Sequence, residues 1–471
     1  MDAATSATVR AGAPAGDAPE AQEARSVAKL DLGVDPGREF ERRLVSAYEA
    51  AALVESGDLI WIPSSHQPPT ILAALAVREA ELRDVTIRSV VIPNMGWFRE
   101  DARKAWDLQV QYALAPDNRK ALEDRLVDFH PLHMINQHKA ADTRPGEGRP
   151  IDVLLLVVTP PDEHGYVCVG NSVWDAVTSA RRARKVLVEL SPGLPRTCGD
   201  TCIHVSQLDA IVEGDRPRLG APDPDPASLP EVDRRIAGHV RSLVRDGDTL
   251  QLGVGNHTSA LPLLGAFDDC NDLGYFGELT VPGTVDLVRR GIVTSRRAEL
   301  HPGKFVSCYA GNSLEDLDYI ENNPFFQLHS YEYTNDPKRI AQHDQMFAVN
   351  GALTVDLSGQ IGVYAIGPRV YSGTGGQLAF HLGAFLSRRG RAVTVLPSTA
   401  RGGSVSTIVP QFEQGQIVSI PRELADTVVT DQGVARLLGK SVRERAEELI
   451  AVAHPDHRDR LRQEAKRLYY P

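Results

Sequence analysis

The chain is poor in sulfur and tryptophan: five Cys, four Met and four Trp among 471 residues. Cys168, Cys198, Cys202, Cys270 and Cys308 are too few and too scattered for a disulfide scaffold, so a reducing compartment is expected and the fold must rest on apolar burial. Long hydrophobic runs are also missing. The longest, Ile71 to Val77, falls far short of the roughly 20 apolar residues that span a bilayer, so no membrane span is expected. Positive charge is in deficit, 51 Lys and Arg against 62 Asp and Glu for a net −11, a balance that repels polyphosphate at long range. Nucleic acid is not an expected partner. A small anionic ligand would be held by local arginines and backbone N–H groups, which predicts one basic cleft on an acidic surface. Residues 1–35 lack the apolar core of about 7 to 15 residues that a signal peptide needs, and Asp2, Asp17, Glu20 and Glu23 are foreign to a transit peptide. They read as a disordered tail, and a cytoplasmic location is expected.

What the chain does have is enough apolar residues, 42%, to bury sizeable cores, and at about 150 residues per domain the length allows two or three. Five prolines between Arg216 and Pro230 cannot sustain a helix or a central strand, so 216–230 reads as a linker between domains at 36–215 and 231–471. A phrase recurs across it. Leu53, Val54, Gly57 and Asp58 reappear as Leu243, Val244, Gly247 and Asp248, 190 positions later. Each copy reads as an amphipathic run, a Gly-Asp turn, a strand (Leu59 to Ile62; Thr249 to Leu252) and a loop of small or polar residues, which is a parallel α/β unit and points to an internal duplication. Further strands are expected at Val85 to Ile92, Val153 to Val158, Val186 to Leu190, Ala210 to Val212, Gly351 to Asp356, Ala392 to Leu396 and Thr427 to Thr430. Open α/β sheets bind ligands in loops beyond the strand carboxyl ends. Ser441 and Glu444 have capping-box spacing before a helix from Val442 to Ala453 that Pro455 is expected to stop.

Three loops carry glycine in excess. Gly253-Val254-Gly255-Asn256-His257 follows the second copy's strand, and it is either an anion-binding turn or a plain strand-to-helix turn, because the third glycine of a dinucleotide fingerprint is missing. Ser372-Gly373-Thr374-Gly375-Gly376-Gln377 has more glycine than one turn requires, which suits an oxyanion hole or a phosphate cradle. Thr399-Ala400-Arg401-Gly402-Gly403-Ser404 adds a guanidinium. Between the first two loops, Gly274-Tyr275-Phe276-Gly277-Glu278-Leu279 embeds a carboxylate among apolar residues. Burial would fit it for acid/base or nucleophilic work, though from the spacing alone most such Glu residues are partnered structural groups.

The stretches TPPDEHGYVCVG, IHVSQLDAIVEGDRP, GELTVPGTVDLVRRGIVT, GALTVDLSGQ, SGTGGQLAF, IVPQFEQGQIVSIPR and VVTDQGVARLLGKSVRERAEELIAVAHPDHR resemble the acetyl-CoA hydrolase/transferase family, which includes four-hydroxybutyrate, butyryl and succinyl-CoA:acetate transferases. The similarity runs from Glu41 to Arg462. It implies two similar open α/β CoA-transferase domains with mainly parallel sheets and an active site between them. It implies Glu278 as the nucleophile and Val254, Gly375 and Gly376 as backbone donors of an oxyanion hole. Gly253, Gly255, Asn256, Gly373, Gln377, Arg401, Gly402 and Gly403 are implied as CoA- or substrate-binding. Coenzyme A is then a substrate, a carboxylic acid the acceptor, no metal or tightly bound cofactor is needed, and a homodimer is implied. Ala379 in GGQLAF, Asp431-Gln432-Gly433, Leu279-Thr280-Val281-Pro282 and Pro63-Ser64-Ser65-His66-Gln67-Pro68 depart from the family pattern, so the acyl pocket is expected to differ.

Other constellations are weaker. Cys198, Cys202 and His204 supply three ligands without a matching second pair. His164 and His204 read as structural or near substrate, and Tyr331, His329 and His343 as ordinary surface or gap-filling residues of a loop-rich stretch, Gln327 to Gln345. A G-x-S-x-G elbow is missing, which leaves a serine hydrolase without support. Three readings remain: a CoA-transferase, an acyl-CoA hydrolase, and a CoA-binding protein without catalysis.

Overall fold

In the computed structural model, which describes residues 29–470 apart from 65, 132, 133 and 145, the apolar runs after Gly-Asp turns form the middle strands of two parallel sheets. Leu59–Ile62 and Val153–Val158 are buried along their whole length, as strands covered on both faces must be. The first sheet runs Ala210–Val212, Lys185–Leu190, Val153–Val158, Leu59–Ile62, Val85–Ser89, Trp106–Val110 and Asp128–Phe129, every pair parallel. The second runs Thr427–Thr430, Arg391–Val395, Met346–Gly351, Thr249–Leu252 and Gly274–Tyr275, again parallel. Gly433–Arg436 joins its first edge antiparallel. At the other edge a parallel bridge from Phe276 to Val306 leads on to Phe305–Ser307 and Phe326–Leu328. Ranked in chain order within each half, both stacks read seventh, sixth, fifth, first, second, third, fourth.

The repetition reaches single hydrogen bonds. Asp58 accepts the Glu55 N–H at 2.9 Å, and Asp248 accepts the Arg245 N–H at 2.7 Å. Each closes a turn whose glycine, Gly57 at φ +87° or Gly247 at φ +77°, sits where only glycine is unstrained. Arg184 donates to Asp58 and Arg391 to Asp248, so a guanidinium at the start of the sixth strand clamps the turn before the first in both halves. The amides of Val186 and Ala392 donate to Asp209 and Asp426, each just ahead of a seventh strand.

The halves interlock along several seams. Cys198–Gly199 of the first half pairs with Gln327–Leu328 of the second, Asn171 Nδ2 donates to Ala310 O at 3.0 Å, and Ala113 N–H donates to Ser372 O at 3.0 Å. The proline-rich stretch is irregular apart from a 3-10 turn at Pro226–Ser228.

Several local expectations change. Residues 41–56 do not form one amphipathic helix. They divide between Pro36–Arg43 and Ala47–Ala52, because Leu44 bridges Ile211 and Ser46 starts a new capping box with Glu49. The main-sheet strand near 351 is Met346–Gly351, while Thr354–Asp356 pairs separately with Ile361–Gly362 and Ile408–Val409. Polar Asn350 obscures that strand in the sequence, yet its amide is matched reciprocally by Gln251 on the next strand at 2.9 and 3.1 Å. The Ser441–Glu444 capping box forms. Pro455, however, opens a second helix, Pro455–Tyr469, in the first turn, where a missing N–H costs nothing. Of the expected tail, residues 1–28 lie outside the described residues. From Lys29 onward the chain is tied to the first half: Lys29 Nζ reaches Asp209 at 2.9 Å and Asp31 N–H reaches Ser206 Oγ at 3.0 Å.

The seam at Gly199 can be tested directly. Its φ is +113° and an added Cβ would lie 2.2 Å from Leu328 O, so Gly199→Ala should destabilise the protein by about 1–3 kcal/mol through overpacking and strain. A lower urea midpoint is expected; an unchanged midpoint would mean that residues 198–199 do not pack on 327–328.

Candidate active site

The chain from Gly274–Tyr275 into the 276–279 turn is fixed before any catalytic group is considered. Tyr275 stacks on Phe305 with ring centroids 4.1 Å apart and donates its hydroxyl to Leu279 O. The Glu278 carbonyl accepts N–H groups from Cys308 at 2.9 Å and Tyr309 at 3.1 Å. The backbone is thus pinned on both sides, and the Glu278 side chain points into the protein, 8% exposed.

Three features surround that carboxylate. Asn335 Nδ2 donates to Glu278 Oε2 at 2.8 Å. Thr334 Oγ1 donates to Asn335 Oδ1 at 2.9 Å, which orients the amide with its nitrogen toward the carboxylate. Gly376 lies against the same oxygen: a Cβ there would stand 2.0 Å from Glu278 Oε2 and 2.5 Å from Asn335 Nδ2, so any side chain at 376 would evict the carboxylate. The first half closes the site. Met134 Sδ is 3.6 Å from Asn335 Nδ2, and the Tyr112 hydroxyl is 3.8 Å from Met134 Sδ. At Gly373 an added Cβ would meet Gln111 O at 2.4 Å and the Tyr112 ring at 2.6 Å, so the glycine loop lies directly on the first half. The carboxylate therefore sits between the halves.

Loss of water dominates its electrostatics. Burial pushes the Glu278 carboxyl up from 4.5 to about 7, and the single Asn335 hydrogen bond only partly opposes this. The buried Tyr112 hydroxyl is driven above its usual range by desolvation and by the Glu278 charge.

The loop Gly253-Val254-Gly255-Asn256 leaves the strand beside that of Glu278. Gly253 is required there, since a Cβ would lie 2.5 Å from Asn350 Oδ1. Gly255 has φ +151°, Val254 is exposed, and Asn256 begins a four-residue helix, Asn256–Ser259. Gly375, in the left-handed region at φ +61°, lines a cavity of about 250 Å³ with Pro131, Met134, Tyr364, Gln377 and Ala379 among others. Gln377 is buried there, and among the described residues its Nε2 has no hydrogen-bond partner. Among the described residues, no hydrogen bond joins Arg401, Gly402 or Gly403 to Glu278. They form an exposed turn between Thr399–Ala400 and Val405–Ser406, two strands beyond Thr249–Leu252, where Gly403 O meets His457 Nε2 at 3.2 Å.

Sequence reading passed over Asn335, Tyr112 and Met134. Asn335 ends a four-residue helix, Tyr331–Thr334, inside the stretch read as gap-filling, and its role shows only once Thr334 and Glu278 are seen around it. Tyr331 and His343 are buried as gap-filling residues should be. Among the departures, Ala379 lines the cavity, whereas Asp431 accepts the Ser398 N–H at 2.6 Å and holds a turn.

A carboxyl whose pKa is raised on folding binds its proton more tightly in the native state. It costs no stability below about pH 4.5, an increasing amount as pH rises, and a full cost above about 7. Glu278→Gln should therefore stabilise the fold by up to about 3 kcal/mol at pH 8, with the gain disappearing near pH 4.5. Urea midpoints at the two pH values check this; an equal gain at both would show that the carboxylate is not desolvated.

Comparison with known proteins agrees with this architecture. The acetyl-CoA hydrolase/transferase N-terminal domain matches residues 32–218, and the C-terminal domain of the same name matches residues 315–465. A succinyl-CoA:cyclohexane-1-carboxylate CoA transferase of Geobacter metallireducens is 35% identical over 92% of this chain and 97% of its own. A 4-hydroxybutyrate coenzyme A transferase of Clostridium kluyveri is 32% identical over 91% and 99%. Among solved structures, RipA from Yersinia pestis superposes with a TM-score of 0.84 at 31% identity, covering 93% of this chain and 100% of that one. The 4-hydroxybutyrate CoA-transferase of Porphyromonas gingivalis gives 0.73 at 29% identity, over 91% and 99%. With both domains matched and relatives above 30% identity along nearly the whole length, the chain belongs to the acetyl-CoA hydrolase/transferase family.

Proposed function

We propose that this enzyme moves coenzyme A between an acyl-CoA and a free carboxylic acid through covalent intermediates on Glu278. The observation that carries the reading is the Glu278 carboxylate, desolvated to a pKa of about 7 and pressed against Gly376. A carboxylate with little water around it is a competent nucleophile toward a thioester carbonyl. Glu278 attacks that carbonyl and expels CoA thiolate, leaving an acyl-glutamyl anhydride. The thiolate then attacks the glutamyl carbonyl, forming a Glu278–CoA thioester and releasing the first carboxylate. An incoming carboxylate runs the two steps in reverse, which gives ping-pong kinetics.

In this reading the backbone N–H groups of Val254, Gly375 and Gly376 receive the tetrahedral oxyanion. Asn335 steadies the attacking carboxylate, and the 250 Å³ cavity receives an uncharged part of the substrate. Gln377 Nε2 is a donor on that wall without a partner among the described residues. Gly253, Gly255, Asn256 and Gly373 shape the loops around the reacting carbon. Arg401, Gly402 and Gly403, at the carboxyl end of the sheet, would meet the phosphate end of coenzyme A. The CoA-transferase names of the relatives in Geobacter metallireducens and Clostridium kluyveri support transfer to a carboxylate.

Incubation with a panel of acyl-CoAs, then borohydride and peptide mass spectrometry, should show Glu278 reduced at its side-chain carbonyl. Thioester loss should depend on added carboxylate. Full turnover without an acceptor would replace this reading with hydrolysis, the activity in the name of a relative, the acetyl-CoA hydrolase of Schizosaccharomyces pombe.

Gly376→Ala should lower kcat by at least about 10²-fold while leaving CoA binding measurable, since it strikes an oxyanion donor and the nucleophile together. The rate kcat/KM should rise tenfold per pH unit below about 7 and level off above it, as Glu278 ionises. A profile flat from pH 5 to 8 would contradict a carboxylate nucleophile with this pKa.

A further inference from the structure

Away from Glu278, two cysteines face each other across a two-stranded antiparallel sheet. Tyr166–Cys168 pairs with Cys202–His204, and Cys168 is in register with Cys202. The hydrogen bonds fix which kind of pair this is. Val169 N–H donates to Thr201 O at 2.9 Å, while Cys168 turns its own N–H to Thr159 Oγ1 at 3.0 Å and its carbonyl to the Thr159 N–H at 2.8 Å. Cys168 and Cys202 therefore occupy a non-hydrogen-bonded pair, the site where antiparallel strands come closest, about 4.5 Å between Cα atoms. That spacing lies inside the range that a disulfide bridges without backbone movement.

The surroundings give the two thiols different parts. Cys168 is buried, its sulfur accepting the Thr197 N–H at 3.5 Å and lying 3.7 Å from Thr197 Oγ1. The Cys202 thiol beside it and these donors lower its pKa to about 5, and the same contact raises that of Cys202. Cys202 is half-buried and lines an open pocket of about 220 Å³ with Leu30, Tyr166, Arg181 and Gln207. Thr201 Oγ1 is 3.6 Å from its sulfur. One sulfur can be reached from solvent, and the other waits behind it in an environment that favours its thiolate.

We propose that Cys168 and Cys202 form a reversible redox modification site that closes to a cross-strand disulfide when the protein meets hydrogen peroxide. Cys202 reacts first, handing its proton to the neighbouring Cys168 thiolate so that its own sulfur becomes the attacking thiolate. Its sulfur takes one peroxide oxygen as the O–O bond breaks, giving a sulfenic acid and one water. Cys168 then attacks the Cys202 sulfur, the S–O bond breaks, and a second water leaves with the Cys168 proton. Two thiols lose two electrons and two protons, and one peroxide becomes two waters. Cys198, four positions before Cys202, lies on a different pairing, with Gln327–Leu328, and is not the partner.

The test uses the full-length wild-type protein, fully reduced and then exposed to equimolar hydrogen peroxide, denatured in N-ethylmaleimide and digested. The expected product is a peptide pair linked through Cys168 and Cys202, lighter by two hydrogens than its reduced parts, absent without peroxide and lost on dithiothreitol treatment. Cys198→Ser should retain the link. Cys168→Ser should instead leave Cys202 as a sulfenic acid that dimedone traps. Recovery of both cysteines as alkylated thiols, their separate overoxidation, or a Cys198–Cys202 link in the wild type would overturn the proposal.

Discussion

A carboxylate held out of water beside a backbone glycine is the constraint on which the rest of the active region depends. Water around Glu278 would lower its pKa, whereas an unpartnered buried charge would be costly to fold around. The structure settles between these limits with one hydrogen bond, from Asn335 at 2.8 Å, and a pKa near neutrality. Everything adjacent serves that compromise. Thr334 orients the Asn335 amide, the Cys308 and Tyr309 amides hold the Glu278 backbone, and Gly376 leaves room that no other residue would.

The duplicated scaffold explains how such a site arises at the junction of two units. Both halves place their loops at the carboxyl ends of parallel strands, where open α/β sheets present ligand sites. Each half stabilises its own sheet with the same Asp-centred turn and Arg clamp, Asp58 with Arg184 and Asp248 with Arg391. The halves then diverge in use. The second supplies Glu278, Asn335 and the glycine loops, and the first supplies Tyr112 and Met134 as a wall. The Gly373 contact with Gln111 and Tyr112 links the geometry of the glycine loop to the way the halves meet.

The departures from the family pattern separate by location. Ala379 packs with Phe276, Met346 and Phe380 and lines the cavity beside Gly375 with an apolar side chain. Asp431 lies away from the cavity and serves a backbone turn through Ser398. Leu279, Thr280 and Val281 are buried beneath the Glu278 turn and extend the core.

By itself the sequence determined the class of fold and the repeat, and through its family resemblance it pointed to Glu278. Apolar runs after Gly-Asp turns specify buried parallel strands, the 190-residue offset survives as two stacks of the same order, and the family motifs single out Glu278. It did not determine what local pattern cannot encode. Asn350 hid a central strand because its partner, Gln251, lies 99 positions away, and Leu44 broke an amphipathic helix because Ile211 stands beside it. Asn335 reaches the carboxylate from a separate segment, with Met134 and Tyr112 behind it from the first half, and Arg401 lies in an exposed turn. Motif and period are properties of neighbours in the chain. Desolvation, and with it the raised pKa of Glu278, is a property of neighbours in space, and only the tertiary structure decided it.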